Sequence, residues 1–279
     1  MSSSSPINYA KAFGFQSIPA AVIFAVVYLP LFLWFIRQSI KNTTYVYLSL
    51  SIFCLMRVVA FVMRAILIAS ESVGQNLNVL IADEVMFGVG FFALLYSAYT
   101  LVLDREIISG ATLQLPLKIM RNRRLFRIIL IVAVVLGVQG ISTSTSSNPK
   151  NASTGTDLRR ASTIIFLVLT IIQAIQTFLA LNAHSGYPPS PRFGDRHGKY
   201  ILSLISIFLL VRETFLVATI SNLSKQNEEL FWYPLLALPE LLAVVCYSFS
   251  GLVPPRSELK ARKAENEYSQ AAPLYPMQP

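Results

Sequence analysis

Seven apolar stretches alternate with short polar ones along the chain, over about 17–36, 44–69, 77–103, 125–142, 161–183, 200–221 and 230–252. A helix needs about 20 mostly apolar residues to cross the hydrocarbon core of a bilayer. Leu125 to Ser142 is short, but apolar enough to qualify. In lipid the backbone must satisfy its own hydrogen bonds, so such stretches are helices. The pattern predicts an all-α membrane protein, a seven-transmembrane helix bundle. The connections are short, which makes consecutive helices antiparallel neighbours and leaves no room for a soluble domain. Residues 1–16 precede the bundle, 17–252 form it, and 253–279 are a tail. Met1 to Gln16 is Ser-rich with one lysine and the apolar run after it is long, so the first span reads as a retained helix, not a cleaved signal. In the tail, Ser257 to Glu267 is charged and suits a short helix along the membrane surface, while Ala271 to Pro279 is Pro-rich and expected to be disordered.

Composition sharpens this. Of the 279 residues 54% are hydrophobic and 13% charged, about half the roughly 25% charge of ordinary soluble domains. A soluble enzyme and a nucleic-acid binder are excluded. The net charge of +9 comes from basic residues that flank the apolar runs. Of the 23 Lys and Arg, fifteen fall in the flanks on the side of the 1–2, 3–4 and 5–6 connections and the tail, and five on the other side. By the positive-inside rule the N-terminus is outside and the C-terminus cytoplasmic. The polar stretch Thr143 to Arg160 is then an exposed outer loop, and its Asn151-Ala152-Ser153 a glycosylation site. Asn222-Leu223-Ser224 is also outside but close to the membrane, and Asn42-Thr43-Thr44 is cytoplasmic and should stay bare. Trp34 and Trp232 are expected near opposite interfaces, where aromatic rings prefer to sit.

The charges that remain lie inside the spans. The second span carries Arg57 and Arg64, the third Asp83 and Glu84, the sixth Arg212 and Glu213, the seventh Glu240. A charge at mid-bilayer costs from ~3 to over 10 kcal/mol, so each must be paired or face a polar cavity. Arg57 and Arg64 are seven apart and share one helix face, which must look inward. Asp83 and Glu84 begin the next span near the level of Arg64, which predicts that Arg64 pairs with one of them. Glu240 follows Pro239, and proline removes a backbone donor. A kink there would bring backbone polar groups beside a carboxylate, as in broken helices at membrane binding sites. The set reads as a ligand-binding or intramembrane polar network. It also has a purely structural reading, as ion pairs that lock the bundle.

An internal echo accompanies these charges. Ser51-Ile52-Phe53-Cys54-Leu55-Met56-Arg57 and Ser206-Ile207-Phe208-Leu209-Leu210-Val211-Arg212 share five of seven residues at a fixed offset, and an acidic residue follows in the next span of each half, Glu84 and Glu240. A 3+1+3 parallel repeat would produce this, and some small transporters are built from parallel repeats.

Other chemistry is missing. Cys54 and Cys246 lie inside apolar runs, so no disulfide framework is expected. His184 and His197, the two histidines, lack metal-ligand spacing, the seventh span has no lysine for a Schiff base, and no Gly-rich phosphate loop occurs. Asp195-Arg196-His197 reads as a solvated turn near Pro188, Pro189 and Pro191. The expectation is a non-enzyme with no catalytic residues, no cofactor, no metal and no nucleic-acid partner.

The stretches Ser17-Ile18-Pro19-Ala20-Ala21-Val22-Ile23-Phe24 and Leu94-Leu95-Tyr96-Ser97-Ala98-Tyr99-Thr100-Leu101-Val102-Leu103-Asp104-Arg105-Glu106 resemble fungal seven-helix proteins named as family-C-like G-protein-coupled receptors. The plan of seven helices with an outside N-terminus and a basic 3–4 loop fits that resemblance. Asp104-Arg105-Glu106 is similar to the acidic-Arg-Tyr triplet of rhodopsin-like receptors, with Glu in place of Tyr. In that family the arginine holds the inactive state and then contacts the G protein, which makes Asp104 and Arg105, with Arg121, Arg123 and Arg124 of the basic loop, candidates for coupling to a heterotrimeric G protein. The same loop would also be drawn to anionic lipid headgroups, at ~1 kcal/mol per basic residue. The chain departs from the resemblance in having no large extracellular domain, no cysteine for the 3-to-loop disulfide and no Asn-Pro-x-x-Tyr. It resembles fungal lipid-translocating seven-helix exporters more loosely. The resemblance and the topology imply a receptor-like protein sensing a small ligand, and the sequon with the topology points to the plasma membrane. The echo and the buried Glu240 and Arg57 suit instead a transporter of a small solute or lipid, and a structural or accessory role is a third reading.

Overall fold

In a computed structural model, residues 8–109, 122–146, 148–182 and 192–271 are described. Arg121, His184, Pro188, Pro189, Pro191 and the Pro-rich end, 272–279, lie outside them. Among the described residues, seven helices are long and apolar enough to cross a membrane. They are α1 (Ile18–Lys41), α2 (Tyr45–Ala69), α3 (Leu77–Ser109), α4 (Arg123–Ser144), α5 (Pro149–Asn182), α6 (Gly198–Ala218) and α7 (Glu229–Tyr247). The tail forms α8 (Arg256–Ala271). The chain is an integral membrane protein. The 24 residues of α1 rise roughly 36 Å, enough for the hydrocarbon core.

Local chemistry places the ends. The Ser17 hydroxyl accepts from the Ala20 N–H at the start of α1, with Pro19 in the first turn. Asn122 accepts from the N–H groups of Arg124 and Leu125 at the start of α4. Asn42, past the end of α1, donates to the Pro254 carbonyl and accepts from the Arg256 N–H, which ties the tail to the bundle.

The helices pack with α3 in the middle, against α2, α4, α5 and α6, while α1 lies along α2, α4 along α5, and α6 between α5 and α7. Leu48, Ile52, Leu55, Val59, Val62 and Ile66 form an exposed stripe on α2 that faces the acyl chains. On its other face, Leu50, Phe53, Arg57, Ala60, Phe61 and Arg64 are buried.

One expectation fails. Thr143 to Arg160 is not an exposed loop, because α5 begins at Pro149 and takes in the polar residues up to Arg160. Close packing accounts for this. A Cβ on Gly155 would stand 2.3 Å from the Ser144 nitrogen, and one on Gly140 would stand 2.6 Å from the Arg159 nitrogen. The two glycines let α4 and α5 touch backbone to backbone. Thr154, Thr156 and Thr163 return their hydroxyls to carbonyls one turn back, so their polarity is absorbed by the helix itself. Asn151 stands exposed in the first turn of α5.

Candidate functional site

Glu240 is the hub of a buried charge network. Its two oxygens accept from Nε and Nη2 of Arg57, both at 2.8 Å, and Oε1 also accepts from Nε of Arg212 at 3.0 Å. Arg212 pairs in turn with its neighbour Glu213. Arg57 also donates to the Met86 and Phe87 carbonyls on α3. Arg57 and Glu240 have fully buried side chains. The Arg57 guanidinium fits because the facing residue is Gly90, where a Cβ would stand 2.9 Å from Nη1. The two arginines of the internal echo thus converge on one carboxylate, and Glu84, the acidic member of the first half, pairs elsewhere.

Arg64 makes the predicted pair. Its Nε and Nη2 donate to Asp83 Oδ2 at 3.1 and 2.7 Å, and Glu84 lies 3.9 Å away. Glu84 is also 3.5 Å from Arg159 of α5. Aromatic rings sheathe the cations. The Arg64 guanidinium lies 3.9 Å from the Trp232 ring centroid, 4.4 Å from that of Phe87 and 4.2 Å from that of Phe15. Phe87 and Phe53 flank Arg57, and Phe91 covers Arg212. Asp83, Phe87 and Phe91 recur every four residues on α3, so one face of the central helix supplies both the anion and the rings. Such contacts contribute roughly 0.5–2 kcal/mol each when desolvated.

Proline shapes α7. Residues Tyr233–Ala237 form a π turn in which the Leu238 N–H bonds to the Tyr233 carbonyl. Pro239, lacking an N–H, follows directly, and the wider turn brings the chain past it without a break. Glu240 is presented one residue later. Where the sequence suggests a kink, the helix carries a hydrogen-bonded rewinding just before the carboxylate.

A cavity of about 100 Å³ opens beside the network, in the half of the bundle that holds the start of α3, the end of α4, the start of α5 and the end of α6. Arg64, Arg212 and Glu213 line it, with Glu84, Arg159 and Gln226 towards the end of the bundle and an apolar wall from α3, α4 and α5. Glu213 lines it with a buried carboxylate whose Oε2 has no hydrogen-bond partner. Arg57, Asp83 and Glu240 are not among the lining residues; they stand behind Arg64 and Arg212.

At the opposite end of the bundle one arginine ties three elements together. Arg105, inside the last turns of α3, donates to the carbonyls of Leu252, Gly251 and Gly194 at 2.9, 2.9 and 3.0 Å, and lies 3.4 Å from Asp195. It joins α3 to the turn after α7 and to the short helix Phe193–Arg196. Asp104 is paired with Arg123 at the start of α4. Arg124 is described but enters no ion pair among the described residues.

Sequence reasoning missed several participants. Arg159 and Gln226 bond to each other at 3.2 Å across the cavity mouth. A buried trio, Gln173, Thr177 and Ser206, bonds α5 to α6. The four-residue spacing of Gln173 and Thr177 was its one readable signal. Trp232, in the first turn of α7, points into the bundle and is 4% exposed, held there by Arg64 and by the rings of Phe61 and Phe87. Cys54 and Cys246 are buried free thiols.

No curated protein and no solved structure matches the chain. A family model described as a domain of unknown function, DUF7702, matches residues 16–253, from the start of the bundle to the turn that Arg105 holds. The chain is a member of the DUF7702 family.

Proposed function

We propose that the protein is a receptor-like membrane protein of the plasma membrane, with its N-terminus outside, that takes a small ligand into the cavity and passes the change to its cytoplasmic face. One observation carries this reading. Arg212 lines the cavity and binds Glu240 on α7, and the turn that ends α7 is held by Arg105 at the opposite end of the bundle. A ligand that competes for Arg212 changes what holds α7 at mid-membrane, and α7 terminates in the clamp. A bundle with two arrangements of these pairs would shift its population with the ligand. The resemblance to family-C-like receptors supports the same reading, and no catalytic role is assigned to any residue.

The cytoplasmic partner is a heterotrimeric G protein, met by the basic connection between α3 and α4. The test is a pull-down of tagged protein from native membranes treated with apyrase, blotted for a G-protein α subunit. A variant with Arg121, Arg123 and Arg124 changed to Glu runs beside it. Capture by the wild type and not by the variant supports coupling, and no capture by either counts against it.

A transporter is the second reading, favoured by a cavity that lies towards one end of the bundle while Arg105 ties elements together at the other. Solute uptake that is lost in Glu240→Gln supports this reading against the first.

A further inference from the structure

We propose that the cavity binds an uncharged amphiphile, with an apolar body along the α3–α4 wall and a hydroxyl or amide N–H donated to Glu213. This names the ligand class of the site above and rests on the cavity being that site.

Charge decides the head group. Arg57, Arg64, Arg159 and Arg212 each lie within 4 Å of a carboxylate, and the carboxylates are Asp83, Glu84, Glu213 and Glu240. Four charges of each sign are already balanced. A ligand with a net charge would leave one unit without a counter-charge in a low-dielectric interior, which is strongly unfavourable. Hydrogen bonding decides what the neutral head carries. The arginines that line the cavity already have acceptors: Arg64 in Asp83, Arg159 in Gln226, and Arg212 in Glu213 and Glu240. What is left over is an acceptor, Glu213 Oε2, buried with no partner. An unpaired buried acceptor is unfavourable, and a ligand donor removes that cost.

Shape decides the body. The wall opposite the charges is apolar and includes Val85, Val89, Val134 and Val138. Gly88 sits in that wall, and a Cβ placed there meets no atom within 4 Å. The space beside it is open, and the valines around it offer an apolar body nothing to hydrogen-bond.

The chain has two tryptophans, and Trp232 lines the cavity while Trp34 is exposed on α1. The experiment uses Trp34→Phe protein in phosphatidylcholine nanodiscs, so that emission reports Trp232 alone. A brominated long-chain alcohol is titrated as quencher, beside the brominated carboxylic acid and the brominated amine of the same length at neutral pH. A short water-soluble bromoalcohol forms a further arm.

The expected result is saturable quenching by the alcohol, with each charged analogue weaker by about tenfold, or roughly 1.4 kcal/mol. Gly88→Leu, which fills the open space, should weaken the alcohol by about tenfold or more while leaving the emission spectrum without quencher unchanged. Quenching by the short alcohol as well assigns access from water, and by the long one alone access from the bilayer; both support the neutral head group. Equal or tighter binding of the acid or the amine overturns it, as does the absence of saturable quenching by any probe. Quenching is read with no G protein present. Failure of the coupling experiment therefore leaves this result standing, and failure here leaves coupling standing.

Discussion

Arg57 and Glu240, 183 residues apart in the chain, are joined by two hydrogen bonds of 2.8 Å in the middle of the bundle. The pair ties α2 to α7, which the chain order places far apart. It brings Arg212 of α6 onto the same carboxylate.

Removing the hub should cost more than removing the pair. Glu240→Leu leaves two guanidinium groups around one missing charge and is expected to destabilise the fold by about 3–5 kcal/mol. Arg57→Met combined with Glu240→Leu leaves Arg212 with Glu213, and should cost less than Glu240→Leu alone. Unfolding in mixed micelles with rising SDS measures both, and a double variant weaker than the sum of the singles would contradict the pairing.

Arg64 is held by stacking as much as by charge. Arg64→Lys keeps a cation for Asp83 but loses the second donor and the planar contact with Trp232 and Phe87. The expected loss is about 1–2 kcal/mol in the same unfolding measurement, with a shift in Trp232 emission. An unchanged variant would mean that the rings contribute nothing.

At the opposite end, Arg105→Ala deprives the carbonyls of Gly194, Gly251 and Leu252 of a charged donor. Hydrogen exchange should rise in residues 193–197 and 249–253, and stay as it was in α1. A local loss of about 1–3 kcal/mol is expected. Uniform exchange across the bundle would show that Arg105 supports the whole fold and not a local clamp.

Orientation has its own test. Asn151 is exposed in the first turn of α5, whereas Asn42 is occupied with Pro254 and Arg256, and Asn222 caps the helix Leu223–Asn227. With the N-terminus outside, protein expressed in eukaryotic cells should carry one glycan, lost in Asn151→Gln and removed by glycosidase. A glycan lost only in Asn42→Gln would invert the topology.

What could be read from the sequence follows from where the physics is local. Apolar length finds the seven helices because lipid imposes it residue by residue. The Arg64–Asp83 pair was legible because a short connection puts both at one level. Arg57–Glu240 was not, since no local rule chooses among several buried acids for a given arginine. The polar start of α5 was hidden for a related reason. Its Ser and Thr residues have a loop's composition, and only contact between Gly140 and Gly155 across two helices makes them helical. The stacking of Trp232 on Arg64 was not legible either, because an interfacial preference gives a depth and not a partner.

The π turn in α7 has a consequence beyond passing Pro239. It winds one additional residue into a single turn. At about 100° per residue, that addition rotates everything after it by over a quarter of a circle relative to an uninterrupted α-helix. The azimuth of Glu240 is therefore set by the winding of Tyr233–Ala237, and its contacts with Arg57 and Arg212 depend on that winding. The same residues wound there as an uninterrupted α-helix would keep the sequence of α7 and still turn its carboxylate away from Arg57 and Arg212.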